Sequence, residues 1–171
     1  MEQLGYKLFS VLGWSDGSKV ASLVAINYPA RVEKLVIWGV ITDVTEAHIK
    51  AVAMTSNIAV VFEPMSRERY IEAYGHELFE RLWQSGIDNL VSYSGDAAAY
   101  WDIRGRLQKI MCPTLILHGN KDPLVEKEQA LTAERLIPES RLVSFSTGPH
   151  NIHQVFADKF NKIVTDFLLN D

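Results

Sequence analysis

Apolar residues follow two rhythms along the chain. In four places they run together briefly and stop at turn residues: Lys7 to Leu12 (KLFSVL) before Gly13, Lys34 to Val40 (KLVIWGV), Thr114 to Leu117 (TLIL) between Pro113 and His118-Gly119, and Arg141 to Phe145 (RLVSF). Short continuous runs of this kind predict strands buried on both faces. Between them the spacing changes to that of helices. Ser18 to Tyr28 carries Val20, Leu23, Val24 and Ile26 and stops at Pro29, and Glu126 to Leu136 stops before Pro138. Asn151 to Leu169 aligns Ile152, Phe156, Phe160, Ile163, Val164 and Phe167 in one stripe. Strands alternating with helices predict an α/β fold, a mostly parallel sheet with helices on both faces.

The alternation breaks between the second and third strands. Ile41 to Cys112 holds no convincing strand, and "TEAHIKAVAMTSNIAVVF", "SRERYIEAYGHELFERLWQSGI" and "DIRGRLQKI" all read as helical, with Ser66 a candidate cap for the second. A loop of that length without structure would be unusual. The segment is therefore expected to be a helical insertion over one edge of the sheet. Three parts follow: core residues 1–40, the insertion and its return helix at 41–112, and core residues 113–171.

Composition narrows the class. A chain of 171 residues with 47% hydrophobic and 22% charged residues fits one soluble domain with a sizeable core. The net charge of −4 offers no footprint for nucleic acid or an anionic membrane. No apolar run reaches the roughly 20 residues of a membrane span. The single cysteine, Cys112, cannot form an internal disulfide and suits a reducing compartment. With no signal peptide visible at the start, a cytoplasmic or mitochondrial rather than secreted protein is expected.

Candidate chemistry lies at the strand ends. Gly13-Trp14-Ser15-Asp16-Gly17 fits G-x-S-x-G, follows a strand and opens a helix, as a nucleophile elbow requires. The two glycines are expected to remove side chains where strand and helix meet, leaving Ser15 in a tight turn with its hydroxyl exposed. A serine hydroxyl is a weak nucleophile and needs a base. Partners in the order serine, acid, histidine are present: Asp122 follows the third strand in His118-Gly119-Asn120-Lys121-Asp122-Pro123, and His150 follows the fourth in Gly148-Pro149-His150. Open α/β sheets build their sites at these carboxyl ends. His118 and His153 read as structural. His150 and His153 lie three apart without a further ligand, so no metal is expected.

The stretches "LGWSDG" (12–17), "VIWG" (36–39), "HGNKDPLV" (118–125) and "PHNIHQVFADKFNKIVTDFL" (149–168) resemble the α/β-hydrolase fold, and within it the valacyclovir hydrolase or biphenyl-hydrolase-like group. The resemblance runs through almost the whole chain but corresponds to the later part of that family's domain. It implies a parallel-sheet half with a helical cap insertion, whose early strands and second oxyanion donor would precede Met1. Ser18 departs from the family, where a second glycine is more usual. The resemblance further implies a serine esterase with a Ser15-Asp122-His150 triad, no cofactor and a small-molecule ester substrate.

Asp16 adds detail. Its N–H follows the nucleophile and is the expected oxyanion donor. Its carboxylate beside the reacting centre would disfavour an anionic intermediate unless a cation offsets it. A substrate ammonium would do so, which points to α-amino acid esters, as the resemblance does. Leu124, two residues after the acid, is a further candidate for the pocket wall. The alternatives are a carbon–carbon bond hydrolase of the same fold, or an inactive fragment serving as a binding module. With a neighbour on one side only, the first strand would expose unpaired backbone and favour self-association, and the isolated chain would be weakly active.

Overall fold

The computed structural model describes residues 1–92 and 101–170; residues 93–100, part of the 41–112 segment, and residue 171 lie outside the described residues. Four strands, β1 (Phe9–Trp14), β2 (Val32–Trp38), β3 (Thr114–Gly119) and β4 (Ser140–Phe145), form one parallel sheet in the order β1-β2-β3-β4. Two strands outrun their apolar stretches. β1 continues to Trp14, which pairs with Trp38, and β3 continues to Gly119, which pairs with Phe145. β2 stops at Trp38, short of the expected Val40, because Gly39 turns the chain at φ 55°.

Successive strand residues face opposite ways, which divides the core in two. Leu35, Ile37 and Ile116 pack with Ala21, Ala25, Leu107, Ile110, Ala130 and Ala133 on one face. Val36, Leu115 and Leu117 pack with Phe145, Ile152, Phe160, Val164 and Phe167 on the other. The first face is covered by α1 (Asp16–Asn27) and α6 (Lys127–Leu136), the second by α7 (Ile152–Val155) and α8 (Ala157–Asn170). The expected single helix over Asn151–Leu169 is thus two, separated at Phe156, whose φ of −120° leaves the helical region.

The inner face of α1 differs from the one expected. Val20 is 60% exposed, and the buried residues are Ser18, Lys19, Ala21, Ser22, Ala25 and Ile26. Small residues face inward because the backbones nearly touch: a Cβ on Gly13 would fall on the Gly17 carbonyl and 2.6 Å from Ala21 Cβ. Gly17 has no such role, since a Cβ there meets nothing within 4 Å. Ser18, the departure from the family pattern, is fully buried, and its Oγ accepts from the Ile41 N–H at 3.2 Å.

The chain divides into two compact units, Met1–Asp43 with Asp102–Asp171, and Val44–Trp101. Residues 41–43 and 102–112, assigned from sequence to the insertion, fall in the first; Ile103, Leu107 and Ile110 belong to its core. "DIRGRLQKI" forms a 3-10 helix, Arg104–Lys109. Where the chain leaves and re-enters this unit, Ile103 N–H donates to Thr42 O at 2.8 Å. Buried Gln129 of α6 holds the same point. Its Oε1 accepts from Thr42 N–H (2.8 Å), Thr42 Oγ1 and Asp43 N–H (3.3 Å), while its Nε2 donates to Asp43 O (3.2 Å). Arg104 bridges Asp102 (2.6 Å) and Asp43 (3.3 Å).

The second unit contains α2 (Glu46–Ala53), α3 (Ile58–Val61), α4 (Pro64–Tyr74) and α5 (His76–Ser92) among its described residues. Ser66 is not a cap. Pro64 occupies the first helical turn, where its missing N–H costs nothing, so the helix starts before Ser66. Gly75 at φ 75° separates α4 from α5, which the sequence joined. Phe62 meets Tyr70, Phe79 and Trp83 edge-on, Tyr70 stacks on Phe79, and Trp83 Nε1 donates to Thr55 O at 2.7 Å.

Candidate active site

Each site residue predicted from sequence sits just past the carboxyl end of a strand. Ser15 follows β1 and caps α1 with φ 55° and ψ −124°, making it the one non-glycine among the described residues with positive φ. A Cβ is disfavoured there, at a cost of about 1–3 kcal/mol that the surrounding structure must sustain. The ladder sustains it, since Ser15 N–H continues the β1–β2 pairing by donating to Trp38 O at 3.0 Å. The Ser15 side chain makes no capping bond to α1.

Asp122 and His150 come together. His150 Nδ1 lies 2.7 Å from Asp122 Oδ2, with the aspartate side chain 1% exposed and the imidazole 12%. Burial alone would push the Asp122 carboxyl up. The hydrogen bond and charge of His150, with the N–H groups of Val125 and Leu124, outweigh burial and hold it below the usual carboxylate range. An ionised Asp122 accepts, so Nδ1 carries the proton and Nε2 keeps its lone pair. Leu124 enters here through its backbone, whose N–H donates to Asp122 Oδ1 at 2.9 Å, as does that of Val125 at 3.0 Å.

The two loops reach this geometry because glycines let them touch. A Cβ on Gly119 would land on the carbonyls of Gly148 and Pro149, and one on Gly148 would lie 2.7 Å from Ile152 Cγ2. Lys121 N–H donates to Gly148 O and Asn120 N–H to Phe145 O, both at 2.8 Å. The acid loop and the histidine loop are therefore one hydrogen-bonded body.

His150 is also held from the β1–β2 side. Trp14 Nε1 donates to His150 O at 3.1 Å, and its ring lies 5.2 Å from the imidazole. A Cβ on Gly39 would stand 2.9 Å from His150 Cε1. Since Trp14 precedes Ser15 and Gly39 follows the Trp38 carbonyl that binds Ser15 N–H, the serine turn and the imidazole share a wall. Ser15 Oγ makes no hydrogen bond to His150, a contact that often tightens only when substrate binds. Asp16 is exposed and opens α1, so its N–H is a first-turn donor with no partner inside the helix.

The human protein "Serine hydrolase BPHL" is 34% identical over 172 residues, which take in 98% of this chain and 57% of that protein's length. A Pseudomonas putida 2-hydroxy-6-oxononadienedioate/2-hydroxy-6-oxononatrienedioate hydrolase is 28% identical across 189 residues, with 65% of its length spanned. The solved 2-hydroxy-6-oxo-6-phenylhexa-2,4-dienoate hydrolase of Rhodococcus sp. strain RHA1 superposes with a TM-score of 0.77 at 16% identity, covering 97% of this chain and 66% of that one. The chain has the α/β-hydrolase fold. No family model matches it.

Several residues bear on the site beyond those read from sequence. Gly39 closes the "VIWG" stretch, yet its contact with His150 spans a distance in sequence that no local pattern encodes. Trp14 lies inside the serine motif, but its hydrogen bond goes to the far loop. His153 accepts from Trp38 Nε1 at Nδ1 (3.1 Å) and packs edge-on against Trp14, Trp38 and Phe160. Burial, then the nearby His150, push the His153 imidazole below the usual histidine range. Gly148 carried a signal in Gly-Pro-His, where a glycine marks a close approach.

Proposed function

We propose that the protein acts as a serine hydrolase on carboxylic esters, with Ser15 as nucleophile, His150 as general base and Asp122 as its orienting acid. The observation carrying this reading is the buried 2.7 Å Asp122–His150 pair, together with a serine held at positive φ at the carboxyl end of β1. Ser15 Oγ attacks the ester carbonyl while its proton passes to His150 Nε2, and Asp122 stabilises the imidazolium. The tetrahedral oxyanion accepts a hydrogen bond from Asp16 N–H. Collapse breaks the acyl–oxygen bond, and His150 returns the proton to the departing alcohol. Water, deprotonated by His150, then attacks the acyl-serine; the acid leaves and Ser15 regains its proton.

Asp16 sets the favoured ester. An exposed carboxylate beside the nucleophile attracts an ammonium, so esters of α-amino acids are preferred. Carbon–carbon bond hydrolysis is the second reading, supported by relatives whose names describe 2-hydroxy-6-oxo acids. Asp16 weighs against it because an acidic substrate meets like charge.

A fluorophosphonate probe tests the assignment. The folded chain should label, Ser15→Ala should not, and Asp122→Asn should turn over esters on the order of 10³–10⁴ more slowly because the imidazole loses its tautomer partner. Labelling that persists in Ser15→Ala, or a folded chain that never labels, would leave the serine without the role given to it; the latter favours a binding module.

A further inference from the structure

The first turns of α1 hold a charge that the triad does not use. Lys19 is 3% exposed, although it lies only four residues beyond Ser15. At a spacing of three residues on a helix, it neighbours Asp16. We propose that Lys19 is a specificity-determining residue, whose buried ammonium offsets the Asp16 carboxylate beside Ser15 so that ester turnover does not require a substrate cation. This rests on the reading of Ser15 as nucleophile.

An exposed carboxylate next to a carbonyl that becomes an oxyanion raises the barrier, because two negative charges approach in a partly desolvated site. A substrate ammonium relieves that repulsion; Lys19 supplies the same relief from within the protein. Burying an ammonium is costly unless carboxylates face it. Burial pushes the Lys19 pKa down, while Asp16, Asp43 and Asp102, in that order, oppose the shift. Asp43 and Asp102 are themselves fixed by Arg104, at 3.3 and 2.6 Å. The Lys19 charge is therefore opposed by Asp16, its neighbour on the helix, and by two carboxylates that Arg104 holds in place.

The consequence is a broadened substrate range. Neutral esters are turned over because Lys19 balances Asp16, and amino esters are still favoured because their cation adds to that balance. Lys19→Met should lower kcat/KM about tenfold for a neutral ester such as a phenyl acetate, and less than about threefold for the corresponding amino ester. In Asp16→Asn/Lys19→Met the neutral-ester loss should be recovered, because the charge that Lys19 opposed is gone. A merely structural lysine would not be rescued in this way. Circular dichroism and thermal unfolding establish that each variant is folded, and Lys19→Gln serves if the Met variant is not.

Equal losses on both esters, or no recovery in the double variant, overturn the Lys19 role while labelling by the fluorophosphonate still upholds Ser15. A folded wild-type chain that neither labels nor hydrolyses either ester overturns the nucleophile assignment, and the Lys19 role falls with it.

Discussion

His153 and His150 lie three residues apart and use the same ring in opposite ways. His150 has Nδ1 against a carboxylate, whereas His153 has Nδ1 accepting from the Trp38 N–H, and burial, then His150, push the His153 imidazole below the usual histidine range. Buried His118 is also pushed below the histidine range, first by burial; Asp122 opposes the shift, and His150 and Lys127 add to it. Both rings stay neutral in the folded chain to a lower pH than in the unfolded chain, which binds protons near the free value of about 6.5. The unfolded state then holds more protons, so stability is full above that value and is lost as pH falls through the folded values. Asp122, held low, adds an acid-side loss that begins lower, near the free carboxylate value of about 3.9. Urea midpoints should therefore fall between about pH 6.5 and 5, before carboxylates titrate. His153→Gln, which keeps an acceptor for Trp38 and does not titrate, should flatten part of that fall. At this scale the strand-end placement of Ser15, Asp122 and His150 was legible, because a local motif and the ends of apolar runs mark it. Gly39 and Trp14 were not, because their contacts with His150 depend on how distant loops meet.

Among the elements, α6 shows how a local pattern conceals a long-range role. "EKEQALTAERL" reads as an amphipathic helix, and Gln129 looks like one polar position among several. In the fold it is 5% exposed and satisfies both backbone N–H groups of Thr42 and Asp43. Gln129→Leu keeps the size but leaves those donors buried without a partner, a cost of about 2–3 kcal/mol. The melting temperature should drop by about 5–10 °C; a drop under 2 °C would mean that water or a shifted chain takes over the bonds. The four strands, their parallel order and the helices between them were readable because runs and stripes are local signals. The breaks at Phe156 and Gly75 and the start at Pro64 were not, since a continuous apolar stripe does not show where the backbone leaves a helix.

At the scale of the whole molecule, the sheet is unequal at its two sides. Among the described residues β1 and β4 are both edge strands, and the β1 side differs in its exposed apolar residues, with Leu8, Leu12 and Val20 55%, 47% and 60% exposed. An edge strand with apolar flanks is a template for another chain. Size-exclusion chromatography should show a concentration-dependent shift toward a dimer or larger species, and Leu12→Lys should move it back toward monomer. A monomer at all concentrations would show that the edge is silent. The joint held by Gln129 has a different consequence. With Thr42 O bonded to Ile103 N–H, everything from Val44 to Trp101 is, for the core, a loop already closed at its base. The entropy of closing a loop grows only logarithmically, about 0.6 kcal/mol for each doubling of length. Segments of quite different length and sequence can thus be exchanged between Asp43 and Asp102 while the sheet, the serine turn and the Asp122–His150 pair keep their thermodynamic footing. Selection can rewrite the segment without renegotiating how the core folds.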